Sequence, residues 1–419
     1  MSEKKKEKKA PPTRVPSRFR REDKPPLSSQ DDKMNLRLSR FSSKFLAVLF
    51  LFPACGQVCV EPSPYIPVIS LQALHHGNDE TRQEEIEKLR LAIHDSGVFH
   101  VTDLSSSAHD VVEMASTSGE SFFNMPLERK KDSQPHDKKA RIRGYIPNGQ
   151  ESGSDLREMK EAFSYGSVLN DKLSGSASGN PRENQEAMAA PNIWPEESDA
   201  PNFRSRMNDL YDLSVMSAEK IAAGFEAALE LPKDHFRILT NTTAGELSAR
   251  RISLMRLFRY LPVDNTSNVD SDFTGSSPHT DWGFLTLVFV SRPGLELFYN
   301  GQWFQVPLPP PGGAVCNVGD WMALQYRGVV SPRHRVVGRN ATEEDRLSFV
   351  FFYYPNFDAT FQFNSDLVDA SILTDQRPKG ERDRTDVKST QVENGSPRSF
   401  GAWVASKWEE VSREATNAL

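Results

Sequence analysis

Between residues 203 and 231 the apolar positions recur every three or four residues. Phe203, Met207, Leu210, Ala218, Ile221, Phe225 and Leu229, with Ser214 bridging Leu210 and Ala218, fall on one stripe. The spacing predicts a long amphipathic helix, ended by Pro232. A second stripe, Ile86, Leu89 and Ile93 within residues 82–96, predicts another helix, with Gly97 just past its end. Short apolar runs at 66–69 and 98–101 flank it, so a β-α-β opening is expected. Residues 111–123 predict a further helix. From about residue 247 the period shortens. Runs at 252–258, 284–290, 295–299, 314–318 and 347–354 are rich in β-branched and aromatic residues. Turn signals separate them, among them Asn300-Gly301, the stretch 309–313 and Gly319-Asp320. The Asn-Gly pair predicts a hairpin, and strands this short at this spacing suggest a sandwich or barrel. Residues 126–186, rich in Lys, Asp, Ser, Gly and Pro, are read as long loops. A polar linker at 375–397 precedes a Trp-bearing amphipathic segment at 400–411.

Charge divides the chain. Its 419 residues hold 51 Lys+Arg and 57 Asp+Glu, a net of -6. Residues 1–44 carry 14 of the basic and 6 of the acidic residues, which leaves 37 against 51 for the rest. An acidic body argues against a nucleic-acid partner, which calls for a basic face on the folded domain. The 37% hydrophobic content, with 25 Phe, argues against global disorder. The length suffices for a core without metal or disulfide staples. Cys55, Cys59 and Cys316 form neither a disulfide framework nor a zinc cluster, and so sparse a count suits a reducing compartment. Cys316 reads as a small core hydrophobe. Residues 1–33, without hydrophobic period, read as disordered. The apolar run at 45–52 is far short of the roughly 20 residues a spanning helix needs, so no stable membrane insertion is expected. With the basic stretch before it, this run leaves three readings open: a disordered or mis-started extension, a signal peptide beginning at Met34, or a transit peptide. A monomer in the cytoplasm is expected, with targeting by residues 34–56 as the alternative.

Among nine histidines most look ordinary. His75 and His76 are placed in a loop, and His94 on a helix of mixed polarity. His279 differs, standing in Ser277-Pro278-His279-Thr280-Asp281-Trp282-Gly283 just before an apolar run. In extended chain, residues i and i+2 project to one side, so His279 and Asp281 can meet one metal. His334, in Ser331-Pro332-Arg333-His334-Arg335, opens another apolar run. Two imidazoles and one carboxylate with open positions make the facial triad of non-haem Fe(II) oxygenases. Arg346-Leu347-Ser348 then opens the last strand-like run. An inward Arg346 is an expensive buried charge that an incoming carboxylate offsets through a bidentate fork. Ser348 adds a donor. Such a clamp beside an iron triad is how an oxygenase would hold 2-oxoglutarate. Tyr260 reads either as core or as a contact to that cosubstrate. Of Trp282 and Phe284, one is expected to pack and the other to line a pocket.

At these residues the chain resembles the 2-oxoglutarate/Fe(II)-dependent dioxygenase superfamily, in the branch of isopenicillin N synthase and the flavonoid and gibberellin oxidases. The likeness runs through residues 279–287, Gly294-Leu295-Glu296-Leu297, Asn300-Gly301-Gln302-Trp303, Asn317-Val318-Gly319-Asp320 and His334-Arg335-Val336-Val337. Ile66-Pro67-Val68-Ile69 and residues 96–101 resemble the branch's N-terminal domain, and Ser399-Phe400-Gly401 with Lys407-Trp408 its C-terminal helix. The resemblance implies a mainly β fold with surrounding α, a double-stranded β-helix (jelly-roll) core and an N-terminal α/β domain. It implies Fe(II) on His279, Asp281 and His334, and 2-oxoglutarate held at its distal carboxylate by Arg346 and Ser348. O2 is then the oxidant. Phe258 stands where many members carry an Asn that contacts the cosubstrate.

The organisation expected is a basic arm over residues 1–62, an N-terminal dioxygenase domain over 63–245, the catalytic core over 246–360 and a C-terminal linker and helix over 361–419. The activity expected is hydroxylation or desaturation of a small organic molecule, with release of succinate and CO2. Oxidative cyclisation without 2-oxoglutarate is the alternative within enzymes, and an idle binding protein the alternative outside them. The substrate pocket is expected from the N-terminal domain, the loop between residues 130 and 160, and the C-terminal segment.

Overall fold

The stripe that begins at Phe203 folds as one continuous helix, Phe203–Ala228, and Met207, Leu210, Ala218, Ile221 and Phe225 are all buried by it. They pack on the outer face of a large sheet, where Phe225 lies tilted against Phe284 (ring centroids 5.8 Å apart) and, on the same helix, Tyr211 meets Phe351 edge-on (5.2 Å). The structure, a computed structural model, describes residues 63–135, 142–151, 157–167, 190–240, 252–263, 273–340, 344–360 and 399–417. The expectations for the arm, for Cys55 and Cys59 and for the linker at 375–397 fall outside these residues.

In chain order the helices are α1 (Leu71–His76), α2 (Asp79–Asp95), α3 (Ala108–Phe123), α4 (Leu127–Lys131), α5 (Phe203–Ala228), α6 (His235–Thr240), α7 (Asp320–Gln325) and α8 (Phe400–Asn417). The strands begin with β1 (Val68–Ser70), β2 (Val98–Thr102), β3 (Gly144–Ile146), β4 (Arg157–Glu158), β5 (Lys160–Gly166), β6 (Leu254–Tyr260), β7 (Pro262–Val263) and β8 (Phe273–Thr274). They continue with β9 (Ser276–His279), β10 (Leu285–Val290), β11 (Leu295–Tyr299), β12 (Gln302–Gln305), β13 (Ala314–Val318), β14 (His334–Val336), β15 (Arg339–Asn340) and β16 (Arg346–Tyr353). An eight-stranded sheet runs β1-β2-β13-β10-β16-β6-β5-β3, and a four-stranded sheet β12-β11-β14-β9. Together they make the jelly-roll core, with α3 and α5 on the outside of the larger sheet. The β-α-β opening is present, β1 lying parallel to β2. Strands from both sides of residue 245 share the larger sheet, so the two segments expected on either side of that residue are joined by one hydrogen-bonded ladder.

Period-two alternation explains how the sheet forms a cavity on one face and a core on the other. In β16, Leu347, Phe349, Phe351 and Tyr353 enter the hydrophobic core beneath the helices, while Arg346, Ser348, Val350 and Phe352 line a cavity. In β6, Arg256, Phe258 and Tyr260 line the same cavity. The Asn-Gly signal is a true hairpin turn: β11 pairs antiparallel with β12, with Tyr299 opposite Gln302. Asn300 and Gly301 both take positive φ, 47° and 82°, as a type I′ turn requires.

Two expectations are corrected. His75 and His76 are not in a loop but end α1, whose first turn is capped by the Ser70 hydroxyl accepting from the Ala73 amide (3.1 Å). Six residues are too few for a helical period to show in sequence. The stretch 126–186 is not loop throughout, since it contains β3 and β5, and β5 is buried over its whole length between β3 and β6. Its sequence lacks an apolar run because both faces carry polar groups. Glu161, on one face, is met by Lys130 Nζ (2.6 Å), Tyr145 Oη (2.5 Å) and Arg259 Nη1 (3.4 Å). Lys160 points to the cavity on the other.

Candidate functional site

His279 closes β9 and His334 opens β14, and the ladder sets these two residues opposite each other. Cross-strand partners bring their Cβ atoms within about 5 Å, and the imidazole centroids lie 4.3 Å apart. Asp281 stands two residues past the end of β9, in the crossing between the two sheets. Its Oδ1 sits 3.7 Å from His279 Nε2 and 3.8 Å from His334 Nε2. Among the described residues this is a group of three ligand atoms all within 4.8 Å of one another.

The surroundings prepare these atoms for a cation. His279 Nδ1 lies 2.7 Å from the Ser277 carbonyl and His334 Nδ1 3.0 Å from that of Pro332. A carbonyl only accepts, so both Nδ1 atoms carry the proton and both Nε2 lone pairs face Asp281. Burial, reinforced by His334, pushes His279 down to about 4, so it is a neutral ligand at neutral pH. Asn317 Nδ2 donates to Asp281 Oδ2 (2.8 Å) and leaves Oδ1 toward the histidines. The turn between β13 and α7 fixes the loop backbone: the Asp320 amide donates to the Asp281 carbonyl (2.7 Å). A Cβ at Gly319 would stand 2.1 Å from the Gly283 carbonyl oxygen, so only glycine allows this approach. Asp320 then accepts from Thr280 Oγ1 (3.0 Å) and Ser331 Oγ (2.6 Å), tying together the two segments that carry the histidines. Burial pushes the Asp320 carboxyl up to about 7 against these hydroxyl hydrogen bonds.

Asn317→Ala is expected to leave the fold intact and to lower iron affinity by about 10- to 100-fold, the usual effect of losing a partner that orients a ligand. Competition with a calibrated chelator measures it. Unchanged affinity would show that Asp281 needs no such support.

The other expected residues meet at the same cavity. Arg346 is 1% exposed, its Nε donates to the Arg292 carbonyl (3.2 Å), and its guanidinium lies 5.1 Å from the Tyr260 ring centroid. The buried Ser348 hydroxyl has no hydrogen-bond partner among the described residues, as expected of a group that waits for a ligand. Tyr260 is buried and lines the cavity beside Arg346, as does Phe258. Trp282 faces the cavity, edge-on to Trp408 of α8 (5.5 Å), whereas Phe284 packs in the core against Phe236 (4.7 Å). Cys316 is a buried core residue. The cavity wall also holds groups that sequence reading did not single out: Glu151, Glu158, Lys160 and Arg256. Arg256 bridges both oxygens of Glu151 (2.9 and 2.8 Å) and lies between the Phe258 and Trp408 rings (4.7 and 5.4 Å). The one signal available for them was the Glu158-x-Lys160 spacing, which puts opposite charges on one side of the chain where β4 passes into β5.

Comparison with known proteins agrees with this arrangement. Residues 66–197 match the family described as non-haem dioxygenase in morphine synthesis N-terminal, and residues 252–355 the 2OG-Fe(II) oxygenase superfamily. A 2-oxoglutarate-dependent dioxygenase of Didymella fabae is 30% identical over 304 residues, covering 70% of this chain and 86% of that protein. The chain belongs to the 2-oxoglutarate/Fe(II)-dependent dioxygenase superfamily. A homoarginine-6-hydroxylase of Arabidopsis thaliana is 28% identical over 284 residues, covering 67% of this chain and 79% of that one. In fold, the chain resembles a full-length Neurospora crassa protein crystallised in complex with alpha-KG and thymine. The TM-score is 0.62 at 20% identity, covering 82% of this chain and 96% of that one. It also resembles a 2OG-Fe(II) oxygenase family protein of Caulobacter crescentus (TM-score 0.61, 23% identity, 83% and 100% covered). The protein is thus a dioxygenase of the isopenicillin N synthase-like branch that uses Fe(II) and 2-oxoglutarate, and the alternative of oxidation without that cosubstrate is not favoured. Among the described residues no helix is long and apolar enough to cross a membrane.

Proposed function

We propose that the dioxygenase holds Fe(II) on His279, Asp281 and His334, and the distal carboxylate of 2-oxoglutarate on Arg346, Ser348 and Tyr260. We further propose that it hydroxylates a small organic molecule. The observation that carries this is the convergence on one cavity of the three ligand atoms with the inward Arg346 and the buried Ser348 hydroxyl, which has no hydrogen-bond partner among the described residues. When bound, iron would activate O2, the oxidant, with two of its four electrons drawn from 2-oxoglutarate, which becomes succinate and CO2, and two from a substrate C–H bond. The protein supplies geometry and exclusion of water. His279 and His334, each fixed by a backbone carbonyl, present neutral nitrogens, and Asp281 brings one negative charge. Arg346 orients a planar carboxylate through its fork, and its burial strengthens that contact. Trp282, Phe352, Tyr354 and Trp408 give the cavity wall an aromatic part, beside the Arg256–Glu151 ion pair.

Hydroxylation, rather than desaturation, is favoured by the relatives: the homoarginine-6-hydroxylase above and a proline hydroxylase of Petromyces alliaceus, 28% identical over 268 residues. Amino acids are therefore the first candidates. In the same reading the enzyme is a monomer of the cytoplasm, which the sparse cysteines support. The test is succinate release from 2-oxoglutarate by iron-loaded protein offered a panel of small molecules that includes homoarginine and proline. One or more is expected to raise succinate severalfold over the substrate-free rate and to gain an oxygen atom. An oxidised product formed without loss of 2-oxoglutarate would contradict the assignment.

A further inference from the structure

The ladder places three residues in one row across adjacent strands: Lys160 of β5 opposite Tyr260 of β6, and Tyr260 opposite Arg346 of β16. All three line the cavity. Two cations therefore flank one tyrosine, about 10 Å apart across two strand spacings. Arg346 is already given the distal carboxylate. Nothing so far accounts for Lys160.

Lys160 is an unusual wall residue. Its side chain is 8% exposed, and Nζ lies 2.6 Å from Glu158 Oε2 and 5.0 Å from the Phe258 ring centroid. Among the described residues Glu158 offers the one oxygen within hydrogen-bond reach of that ammonium. An ammonium has three donors, so donor capacity remains, directed at a space enclosed by aromatic groups. Glu158 at contact and Glu151 at longer range balance its charge, but N–H donors left unused in a buried wall are costly, and an incoming carboxylate oxygen satisfies them. Glu158 also locates it. The other carboxylate oxygen of Glu158 accepts from the Ser277 amide (2.9 Å), two residues before His279 on β9. That bond sets Glu158, and Lys160 with it, against the strand that ends in His279, whereas Arg346 is tied to the Arg292 carbonyl beyond β10.

We propose that Lys160 is a second cosubstrate-binding cation, taking the metal-side carboxylate of 2-oxoglutarate while Arg346 takes the distal one. This rests on the functional reading above. A dianion with a carboxylate at each end meets a cation at each end of the row. The division of labour suits the side chains: the planar fork of arginine fixes orientation, and the compact charge of lysine accepts a carboxylate whose geometry the metal already dictates. Glu158 keeps the ammonium in place when no ligand is bound and ties it to the strand that carries His279.

The test is anaerobic titration of iron-loaded protein with two ligands: 2-oxoglutarate, and 2-oxobutanoate, which keeps the metal-side carboxylate and lacks the distal one. Lys160→Gln is expected to weaken both ligands by about tenfold or more, the scale of one lost charge-assisted hydrogen bond. Arg346→Ala is expected to weaken 2-oxoglutarate alone. Because Lys160→Gln strands the Glu158 charge, the double variant Glu158→Gln/Lys160→Gln is measured beside it. The double variant should bind iron as wild type does and still bind both 2-oxo acids weakly. Recovery of both affinities in the double variant, or wild-type affinities in Lys160→Gln, overturns the proposal, since Lys160 would then only balance Glu158. Wild-type protein that binds iron and neither ligand overturns the functional reading first, and this assignment with it.

Discussion

Asp281→Ala protein should fold, retain no more than trace iron after purification, and convert no 2-oxoglutarate to succinate when iron is restored at stoichiometric level. Asp281 supplies the negative charge of the ligand set, and without it a divalent cation faces two neutral imidazoles. Loss of an orienting partner alone costs about 10- to 100-fold in metal affinity, so loss of the anionic ligand itself should exceed that range. The fold should survive because Asp281 lies outside the strands, in a loop whose backbone is held by Asp320 and by the close approach of Gly319 to Gly283. The stranded Asn317 amide costs about 1–3 kcal/mol, the penalty for one buried unsatisfied group. Iron per chain by elemental analysis and the thermal midpoint together check this. A variant that keeps iron and turnover would remove Asp281 from the site.

Arg346→Ala is expected to separate the cosubstrate from the metal. Iron binding should be unchanged, since Arg346 contacts none of the three ligands. Affinity for 2-oxoglutarate should fall by about 100-fold or more. Hydrogen bonds to charged groups contribute about 1.5–3 kcal/mol each, and the fork makes two. Arg346→Lys keeps the charge but not the fork, so it should recover part of the loss. Anaerobic titration, followed by the visible charge-transfer band of the Fe(II)–2-oxoglutarate complex, reads both variants. If Arg346→Ala bound 2-oxoglutarate as tightly as wild type, the distal carboxylate would lie elsewhere.

What was legible in the sequence follows from what burial does to a pattern. The long helix was plain because the apolar stripe of α5 that meets the sheet keeps one period over about seven turns, although α2 and α3 cover much of the rest. The late strands were plain because Phe, Val and Leu fill their outer faces and turns such as Asn300-Gly301 punctuate them. The ligand set was legible because His279, Asp281 and His334 keep a recognisable order. The structure adds that Asp281 lies in a sheet-to-sheet crossing, with its Oδ1 3.7 Å from His279 Nε2. The cavity wall was much less legible. In β5, Lys160 and Glu161 are both buried, one in the cavity and one in the ion cluster with Lys130 and Arg259, and a strand with charge on both faces looks like loop. The partners of Glu158, Lys160 and Arg256 come from β9, from Glu151 in the chain after β3 and from α8, and no local period announces contacts of such long range. Asn317 and Asp320 fell within a recognised segment, but their work in holding Asp281 and joining the two histidine segments emerges only when β13, the Asp281 loop and residue 331 are brought together.

The most direct measurement of the central claim is the wild-type arm of the anaerobic titration. Iron-free protein receives one equivalent of Fe(II) and then 2-oxoglutarate. One iron per chain is expected, with a visible charge-transfer band that saturates at one 2-oxoglutarate per iron and is missing in Asp281→Ala. One iron bound with no band and no 2-oxoglutarate uptake, or an equal band in Asp281→Ala, would contradict it.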